Sequence, residues 1–502
     1  MKNKGFVKFI LFVSVLLTLY FSLNIILNNV DHNEYMYVSA GVLLKNGNMI
    51  YKDFAFLQTP LLPLIYAIAY KIIPSCNYLL IAKLISFLFF VLSAYLMFRL
   101  SLILTKNKII SLILSNMFLL NSVILRISIE SSNYISSLFF FLLSVYYIVR
   151  DYDQKYYNKY LFVFSGFFLG LSVSTKLYYV LFIIPLVIYM LISQENLKKL
   201  INFVNGFIVG IIPIIISLII SFQNFIFYNV KYHILNSELM KTKNVFSSKV
   251  LLIKDFFYQL DVLLIISFTI ILTIFLRSKM KIKIKGNKIL IFLILILIIS
   301  IVLIIFMSPL YVQYFSSLSF VIFMFPPIII NIGFEKKEIY EENKLIKLSF
   351  PVLFFILILM ITLNFNNILK KPDFKNLYVN KIYKTSQKLR KVIKKITKKE
   401  KNKVFCFIPI IPLEAGQDIY NELSTGSFMY RISSKLTYEE QKRYKTFSSK
   451  YLIKQLRILK PELFLIGYKK KYYKDVINYI KNKNFIVVPE TFNGAYLYYL
   501  IQ

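Results

Sequence analysis

Two carboxylates lie directly after the first apolar run of the chain. Asp31 and Glu34 belong to the segment VDHNEYMYVSAGVLLKNG, whose pattern predicts a helix over about 33–45. Residues three apart share one side of a helical turn, and close carboxylates raise one another's proton affinity, which suits a general base near neutral pH. A carboxylate at a helix start also serves as a plain cap. Both interpretations, chemistry and capping, remain open.

A single lysine, Lys176, separates two apolar runs in the first half of the sequence. Lys176 follows 160–175 and precedes 177–193, and a charge there must reach water, pair with a carboxylate or hold a ligand. The segment RISIESSNY contains Glu130 and Asn133, which can line a pocket, although the pattern favours a simple ion pair of Glu130 with Arg126 at the membrane interface.

The elements that must position these residues are membrane helices. The 502 residues are 58% hydrophobic with mean hydropathy +0.64, above the 45–50% or so that is usual for soluble domains. Apolar runs of about 20 residues are long enough to cross a bilayer. Eleven spans are predicted, at 6–27, 78–103, 109–126, 134–149, 160–175, 177–193, 201–222, 257–276, 289–307, 311–332 and 348–364. The Pro-rich segment 59–74 is expected to be an interfacial helix.

The distribution of lysine and arginine gives the orientation. With the N-terminus inside, each predicted cytoplasmic loop is rich in these residues, as in RSKMKIKIKGNK at 277–288. We therefore expect a transmembrane domain over 1–364, with its first outer loop at 28–77. The remainder, 365–502, would lie outside the cytoplasm. The expected location is the cytoplasmic (inner) membrane of a cell, crossed many times, with the active site on the extracytoplasmic side.

The C-terminal part has the pattern of a small α/β domain. Short strands are predicted at 403–410, 461–468, 484–490 and 495–501, and helices at 437–459 and 470–483. The first of these helices opens with Thr437 and Glu440, a capping-box pair. The basic segment 381–401 is either a helix on an anionic surface or a solvated linker.

Several other classes of function are disfavoured. A net charge of +37 would suit nucleic acid, but the lysines lie mainly between apolar runs and in the tail, so we expect the bilayer and no nucleic acid as partner. Cys76 and Cys406 lack metal-ligand spacing, and no metal site is predicted. No cofactor is required, although Asp31 and Glu34 offer the oxygen ligands that a divalent cation prefers.

Four segments, in the same order along the chain, resemble the GT-C superfamily of polytopic membrane glycosyltransferases. They are similar to bacterial relatives of dolichyl-phosphate-mannose protein mannosyltransferases and of lipid A aminoarabinose transferases. The segments are DHNEYMYVSAGVLLKNGNMIYKDFAFLQTPLLPLIY from residue 31, GFFLGLSVSTKLYYVLFIIPLVIYM from 166, SPLYVQYFSSLSFVIFMFPP from 308 and EAGQDIYNELSTGSFMYR from 414.

The resemblance implies an enzyme that takes a sugar, a hexose or pentose, from a polyprenyl-phosphate carrier. The acceptor would be a glycan, lipid or protein. In this resemblance Asp31 is the general base and Glu34 a second acid that orients the acceptor or tunes Asp31. Gln313 and Tyr314 would contact the donor, unless they only belong to an aromatic belt. The residues expected at the sugar and acceptor pocket are Tyr51, Asp53, Glu130, Asn133 and His233; a turn role for Asp53 and a surface role for His233 are the alternatives.

One departure from the family concerns the phosphate. Many relatives carry a lysine or histidine before the Pro-Leu corner, where this chain has Gln58-Thr59-Pro60. Neutral Gln58 offers hydrogen bonds but no charge. Lys176 is the expected replacement as the cation for the donor phosphate, with Lys52 as a second choice.

Two other classes compete with the transferase. A transporter or flippase of lipid-linked glycans should carry ionisable groups in the middle of several spans and repeated halves, which the sequence does not display. A non-catalytic scaffold would not need the carboxylates and the lysine together.

Overall fold

The computed structural model describes the chain from residue 12 to residue 500 with gaps. The described residues are 12–16, 18–20, 22–23, 26–27, 31–154, 156–240, 245–278, 287–335, 339–363, 378–448, 450–467, 474–492 and 494–500. The predicted span 6–27 is therefore described only in part, where it is helical, and most of the predicted basic loop 277–288 lies outside the described residues.

The described chain is predominantly helical up to residue 363. The helices of this part are α1 (His32–Lys45), α2 (Leu61–Ile72), α3 (Tyr78–Thr105), α4 (Lys108–Leu120), α5 (Ser122–Ile129), α6 (Asn133–Asp153), α7 (Lys159–Thr175), α8 (Ile183–Leu191), α9 (Asn196–Gly210), α10 (Ile212–Ile226), α11 (Tyr232–Met240), α12 (Val245–Phe257), α13 (Leu260–Ser278), α14 (Lys288–Phe306), α15 (Ser316–Glu335) and α16 (Ile339–Leu363). Short 3-10 helices precede α8 (Leu177–Phe182) and α15 (Val312–Phe315), and a π turn at Phe227–Lys231 joins α10 to α11.

Six helices of the described chain are long and apolar enough to cross a membrane, and the pair α4–α5, bent by 58°, makes a seventh if it counts as one span. The six are Tyr78–Thr105, Asn133–Asp153, Ile212–Leu239, Leu260–Ser278, Lys288–Phe306 and Val312–Gly333. Four shorter apolar helices accompany them, including α7, α2 and the stretch Leu177–Leu191. The protein is thus a multi-pass membrane protein.

Two sequence expectations in this region are wrong. The predicted span 201–222 is interrupted at Ile211, where α9 ends and α10 begins. The stretch 225–238 lies between the predicted spans 201–222 and 257–276 and is therefore expected outside the membrane helices. It instead continues the helix through the π turn into α11, because its residues are mainly apolar or aromatic and include no proline or glycine.

Helices α7 and α9 touch through their backbones. Gly166 and Gly170 of α7 face Gly206 and Gly210 of α9, so that each helix carries a pair of glycines four residues apart. A Cβ added at Gly166 would lie 1.9 Å from the carbonyl oxygen of Phe203. Small residues at this spacing let membrane helices approach closely. The contact fixes the end of α7, directly before Lys176.

The C-terminal part forms one five-stranded mixed sheet with short helices. Its elements are α17 (Tyr378–Thr397), β1 (Lys403–Phe405), α18 (Ile410–Glu414), β2 (Asp418–Ile419), α19 (Phe428–Ile432), α20 (Tyr438–Arg443), α21 (Leu452–Leu459), β3 (Leu463–Ile466), α22 (Lys474–Lys481), β4 (Phe485–Phe492) and β5 (Ala495–Leu500), with further 3-10 helices at Asn421–Leu423 and Ser433–Lys435. The strand order is β2-β1-β3-β5-β4, with β1 parallel to β2 and β3, and β5 antiparallel to β3 and β4.

The predicted α/β pattern of the tail is confirmed, with corrected bounds. The strand predicted over 403–410 ends at Phe405, and the chain then enters α18 after Pro409. The helix predicted over 437–459 is two helices, because Lys445 adopts a positive φ of 43° between them. The capping box of Thr437 and Glu440 is present. The basic helix α17 buries its apolar side against α18 and β4. Neither predicted role of the segment 381–401, a helix on an anionic surface or a solvated linker, included this packing.

The C-terminal domain is attached to the membrane helices by a buried carboxylate. Glu414, at the end of α18, accepts a hydrogen bond of 2.9 Å from the backbone N–H of Leu79, at the start of α3. Its second oxygen has no hydrogen-bond partner among the described residues. Burial raises the pKa of Glu414 to about 8, and the N–H of Leu79 opposes this change.

This carboxylate predicts a pH-dependent stability. The folded chain keeps the Glu414 proton up to about pH 8, whereas an unfolded chain releases it near its ordinary pKa of about 4.3. The folded state therefore binds more protons between these values, and stability must fall as the pH rises through them. We expect Glu414→Gln to match the parent protein at pH 5 and to exceed its stability at pH 8 by on the order of a few kcal/mol.

Thermal unfolding in detergent at the two pH values measures this effect as a difference in Tm. Glu490→Gln is the matched control, because Glu490 is exposed and pairs with Lys388 on the surface of the same domain. Equal Tm differences for the Glu414 variant at pH 5 and pH 8 would contradict the prediction.

Candidate active site

The two carboxylates after the first apolar run form a capping box at the start of α1. The side chain of Asp31 accepts from the N–H of Asn33 at 2.9 Å, and Glu34 accepts from the N–H of Asp31 at 2.9 Å. Asp31 thus caps the helix through its Oδ1. Its other carboxylate oxygen, Oδ2, lies 3.6 Å from a guanidinium nitrogen of Arg126.

Glu34 is the inner member of the pair. Its Oε1 lies 2.7 Å from Nζ of Lys83 on α3, and both side chains are fully buried. Lys83 also donates to the backbone carbonyl of Ile129. Burial raises the pKa of Glu34, while the charge of Lys83 acts in the opposite direction. Glu34 therefore holds the backbone of Asp31 and the side chain of Lys83, and it lies too deep to touch an acceptor.

Arg126 joins Asp31 to a third carboxylate. Its guanidinium is 3.6 Å from Asp31 and 3.4 Å from Glu130, so the ion pair expected within RISIESSNY exists and extends to the first outer loop. Glu130 also accepts a hydrogen bond of 2.9 Å from the amide of Gln313. Burial raises the pKa of Glu130, and the neighbouring Asp31 carboxylate raises it further.

A cavity of about 540 Å³ lies beside this carboxylate cluster. Its walls come from α1, the loop before α2, the turn around Lys176, α11, the segment 307–314 and α19. The polar residues that line it are Asn33, Tyr37, Gln58, Ser132, Tyr134, Lys176, Tyr178, Asn229, Tyr232, His233, Asn236, Ser308, Tyr311, Gln313, Tyr314 and Arg431. Among the described lining residues are two cations, Lys176 and Arg431, and no carboxylate.

Lys176 reaches the cavity from the end of α7. Its side chain is 4% exposed, its Nζ donates to Asn133 Oδ1 at 3.1 Å, and it lies 3.4 Å from the ring centroid of Tyr134. Tyr178 and Tyr314 are the next rings, at 5.5 and 5.7 Å. Among the described residues no carboxylate lies within 4 Å of it, so the ammonium is held by an amide and by aromatic faces.

Asn133 connects Lys176 to Gln58, near which the family resemblance implies a lysine or a histidine. Its Nδ2 donates to Gln58 Oε1 at 3.2 Å, and its Oδ1 also accepts from the hydroxyl of Tyr37 at 2.8 Å. Gln58 and Lys176 therefore belong to one hydrogen-bonded group on one wall of the cavity.

The other predicted residues fall into two groups. Gln313, Tyr314 and His233 line the cavity, and the His233 ring hydrogen-bonds to the carbonyl of Leu57 at 3.0 Å. Tyr51, Asp53 and Lys52 do not line it. Tyr51 is fully buried with its hydroxyl bonded to the carbonyl of Gln58, the Asp53 carboxylate accepts from the N–H of Met49 at 2.7 Å within a turn, and Lys52 is exposed.

Sequence reasoning missed four residues that shape this region: Asn33, Lys83, Phe428 and Arg431. Lys83 carried a signal, because a charged residue within a predicted span is a functional or structural marker. Phe428 and Arg431 lie in the segment from 414 that contributes to the family resemblance, but nothing in that segment pointed to the cavity, since their place there depends on how the C-terminal domain docks. Within the described chain, no three His, Cys, Asp or Glu side chains gather as metal ligands.

No family model matches the sequence, and neither does any curated protein. The solved structures show the fold. The apo crystal structure of ArnT from Cupriavidus metallidurans is similar to this chain with a TM-score of 0.61 at 10% identity, covering 99% of this chain and 98% of ArnT. The crystal structure of the same protein bound to undecaprenyl phosphate gives a TM-score of 0.53 at 10% identity, covering 97% of each chain. ArnT is a lipid A aminoarabinose transferase, so the resemblance to these transferases that the sequence predicted is confirmed as a likeness of fold.

Proposed function

We propose that this protein is a membrane glycosyltransferase that moves a sugar from a polyprenyl-phosphate carrier to an acceptor on the outer side of the cytoplasmic membrane. The carrier is suggested by the GT-C fold and by the undecaprenyl phosphate bound to ArnT in one of its crystal structures. The sugar is a hexose or a pentose, and the acceptor is a glycan, a lipid or a protein.

The observation that carries the proposal is the charge of the cavity. Lys176 is nearly inaccessible, has no carboxylate within 4 Å in the described chain, and faces a cavity whose described lining residues include no acid. A buried ammonium with no carboxylate in direct contact is costly, and the Glu130 carboxylate acts on Lys176 only from beyond 4 Å. A phosphate in the cavity would supply a contacting negative charge through strong charge-assisted hydrogen bonds. The amides of Gln58 and Gln313 offer further donors to the same group.

The reaction needs a base on the side of the acceptor. The acceptor oxygen forms a bond to the anomeric carbon, the bond from that carbon to the phosphate oxygen breaks, and polyprenyl phosphate leaves with the electron pair. We assign the acceptor proton to Oδ2 of Asp31, whose side chain is 24% exposed and whose neighbour Asn33 lines the cavity. Lys176 would stabilise the negative charge that grows on the leaving phosphate.

The residues behind Asp31 act as positioning groups in this scheme. Glu34 fixes the backbone of Asp31 and is itself fixed by Lys83. Arg126, which lies 3.6 Å from Asp31 and 3.4 Å from Glu130, holds these two carboxylates beside one another. In this proposal 1–364 is the transferase domain and 365–502 lies outside the cytoplasm.

The proposal is tested with the purified full chain in lipid nanodiscs. Radiolabelled polyprenyl-phosphate hexose and polyprenyl-phosphate pentose are each incubated with it and with cell-envelope material as the acceptor. The expected result is release of polyprenyl phosphate together with incorporation of label from one of the two donors.

A flippase of lipid-linked glycans gives a different result in the same system. It would move a donor across the bilayer of proteoliposomes and leave the bond between sugar and phosphate intact. Transbilayer movement without release of polyprenyl phosphate from either donor would overturn the transferase proposal.

A further inference from the structure

One wall of the cavity belongs to the C-terminal domain. The cavity is lined there by two residues of the short helix α19: Phe428, its first residue, and Arg431, one residue before its end. The remaining walls come from the membrane domain. The domain that follows the last membrane helix thus contributes side chains to the same space as Lys176.

The segment that leads to α19 is bound to the first outer loop by side-chain hydrogen bonds. Asn421 donates to the carbonyl of Asp53 at 3.0 Å, and Ser424 donates to the carbonyl of Ala55 at 2.9 Å. Gly426 then turns the chain with a φ of 58°, and a Cβ there would lie 2.8 Å from the carbonyl oxygen of Phe407. The approach of α19 to the cavity is therefore fixed by its own backbone and by the outer loop.

Contacts with α11 and the π turn before it hold the domain on the opposite side. The hydroxyl of Tyr232 donates to the carbonyl of Phe428 at 3.4 Å, and Lys435 pairs with Glu238 at 2.8 Å. The rings of Phe227 and Tyr444 stack with their centroids 3.5 Å apart. These contacts place α19 over the cavity as a built part of the fold.

The guanidinium of Arg431 lines the cavity beside an aromatic ring. Its central carbon lies 4.6 Å from the centroid of the Phe428 ring, a cation–π distance. Burial raises the pKa of Tyr311, and the nearby charge of Arg431 partly offsets this rise. Tyr311 stacks on Tyr314, which in turn lies beside Lys176, so Arg431 and Lys176 border the same aromatic wall of the cavity.

We infer that Arg431 of the C-terminal domain is a second cation of the donor site and holds the phosphate of the polyprenyl-phosphate headgroup together with Lys176. This inference rests on the proposed function, and it extends that site to a domain whose role the sequence left open. A planar guanidinium binds phosphate oxygens in pairs, whereas a lysine acts as a point charge. The donor is then bound completely only when the C-terminal domain is docked.

The test measures binding of undecaprenyl phosphate to the full chain in nanodiscs, with undecaprenol as the uncharged comparison. Arg431→Gln is expected to weaken binding of undecaprenyl phosphate by about tenfold or more, because a charge-assisted contact is lost. Its binding of undecaprenol should equal that of the parent protein. Arg457→Gln is the matched control, since Arg457 is exposed on α21 of the same domain, and it should bind both lipids like the parent protein.

Arg431→Lys distinguishes loss of the positive charge from a folding defect in Arg431→Gln. It keeps the positive charge and should retain most of the affinity for undecaprenyl phosphate, with a loss of about threefold. Equal binding of undecaprenyl phosphate by the parent protein and Arg431→Gln would overturn the inference. Failure of the parent protein itself to prefer undecaprenyl phosphate over undecaprenol would instead refute the proposed function, so the two failures are distinguishable.

Discussion

Asp31→Asn is expected to lower the rate of sugar transfer by about a hundredfold or more, while binding of undecaprenyl phosphate stays unchanged. Asparagine caps a helix as well as aspartate does, so the hydrogen bond to the N–H of Asn33 and the start of α1 are retained. The substitution removes the basicity of Oδ2, the oxygen that faces Arg126. The measurement is kcat for release of polyprenyl phosphate from the labelled donor.

Asp53→Asn is the matched control for this variant. Asp53 lies in the same outer loop, and its carboxylate likewise accepts a backbone N–H, that of Met49 at 2.7 Å. Neither carboxylate lines the cavity itself, but Asn33 beside Asp31 does, whereas the neighbours of Asp53 do not. We expect its kcat to stay within about threefold of the parent value, as is usual for residues outside the chemistry. If Asp31→Asn retained comparable activity, Asp31 would be a cap only, and the base would have to be sought elsewhere.

Lys176→Gln is expected to weaken binding of undecaprenyl phosphate by about a hundredfold, because the ammonium is the most buried positive charge of the cavity. Glutamine can still donate a hydrogen bond to Asn133 Oδ1, so the loss reports the charge. Calorimetric or fluorescence titration in nanodiscs gives the Kd directly. The control is Lys52→Gln, which changes an exposed lysine of the first outer loop and should leave the Kd unchanged.

A second substitution separates loss of charge from loss of structure. Gln58 and Lys176 both bond to Asn133, so a lysine at position 58 would place an ammonium on the same wall. In the double variant Gln58→Lys, Lys176→Gln we expect affinity to return to within about tenfold of the parent value. A double variant that binds no better than Lys176→Gln would argue that Lys176 has a purely structural role.

Much of the membrane domain could be predicted because its physical signals are local. Long apolar runs specify spans, so α3, α6, α13 and α14 begin and end within a few residues of the predicted limits. The capping of α1 by Asp31 follows from residue type and spacing alone. Such features depend on neighbours in sequence, and no knowledge of packing is needed to find them.

The errors occurred where packing decides. The break at Ile211 lies inside a continuous apolar run, and it follows the glycine contact that brings α9 onto α7. The division of 437–459 depends on Gln441, which is buried and whose side chain bonds to Ser448 across the break. The first break does have a local signal, because Gly210 and Pro213 flank Ile211, but the apolar run continues through them. The break within 437–459 has no such signal, since this segment contains neither proline nor glycine.

The candidate site also contains residues that the sequence indicated and residues that only the packing of the folded chain reveals. Residue type and family likeness indicated Lys176 and Gln313, and both line the cavity. Arg431 is separated from Lys176 by 255 positions, the difference between their residue numbers, and only the docked domain brings it to the same space. Long-range juxtaposition of this kind has no local signature, and with a single sequence there is nothing else from which to infer it.

The glycine contact between α7 and α9 bears on how a lipid tens of carbons long could reach its place. Backbones that touch leave no side chains between them to rearrange, so the wall that carries Lys176 is stiff. The facing wall is different: α10 departs from helical geometry at Ser221 and passes through a π turn before α11. We therefore expect the wall formed by α10 and α11 to widen when the lipid enters. Because Tyr232 and Glu238 bond this wall to the C-terminal domain, we expect that domain to move together with it.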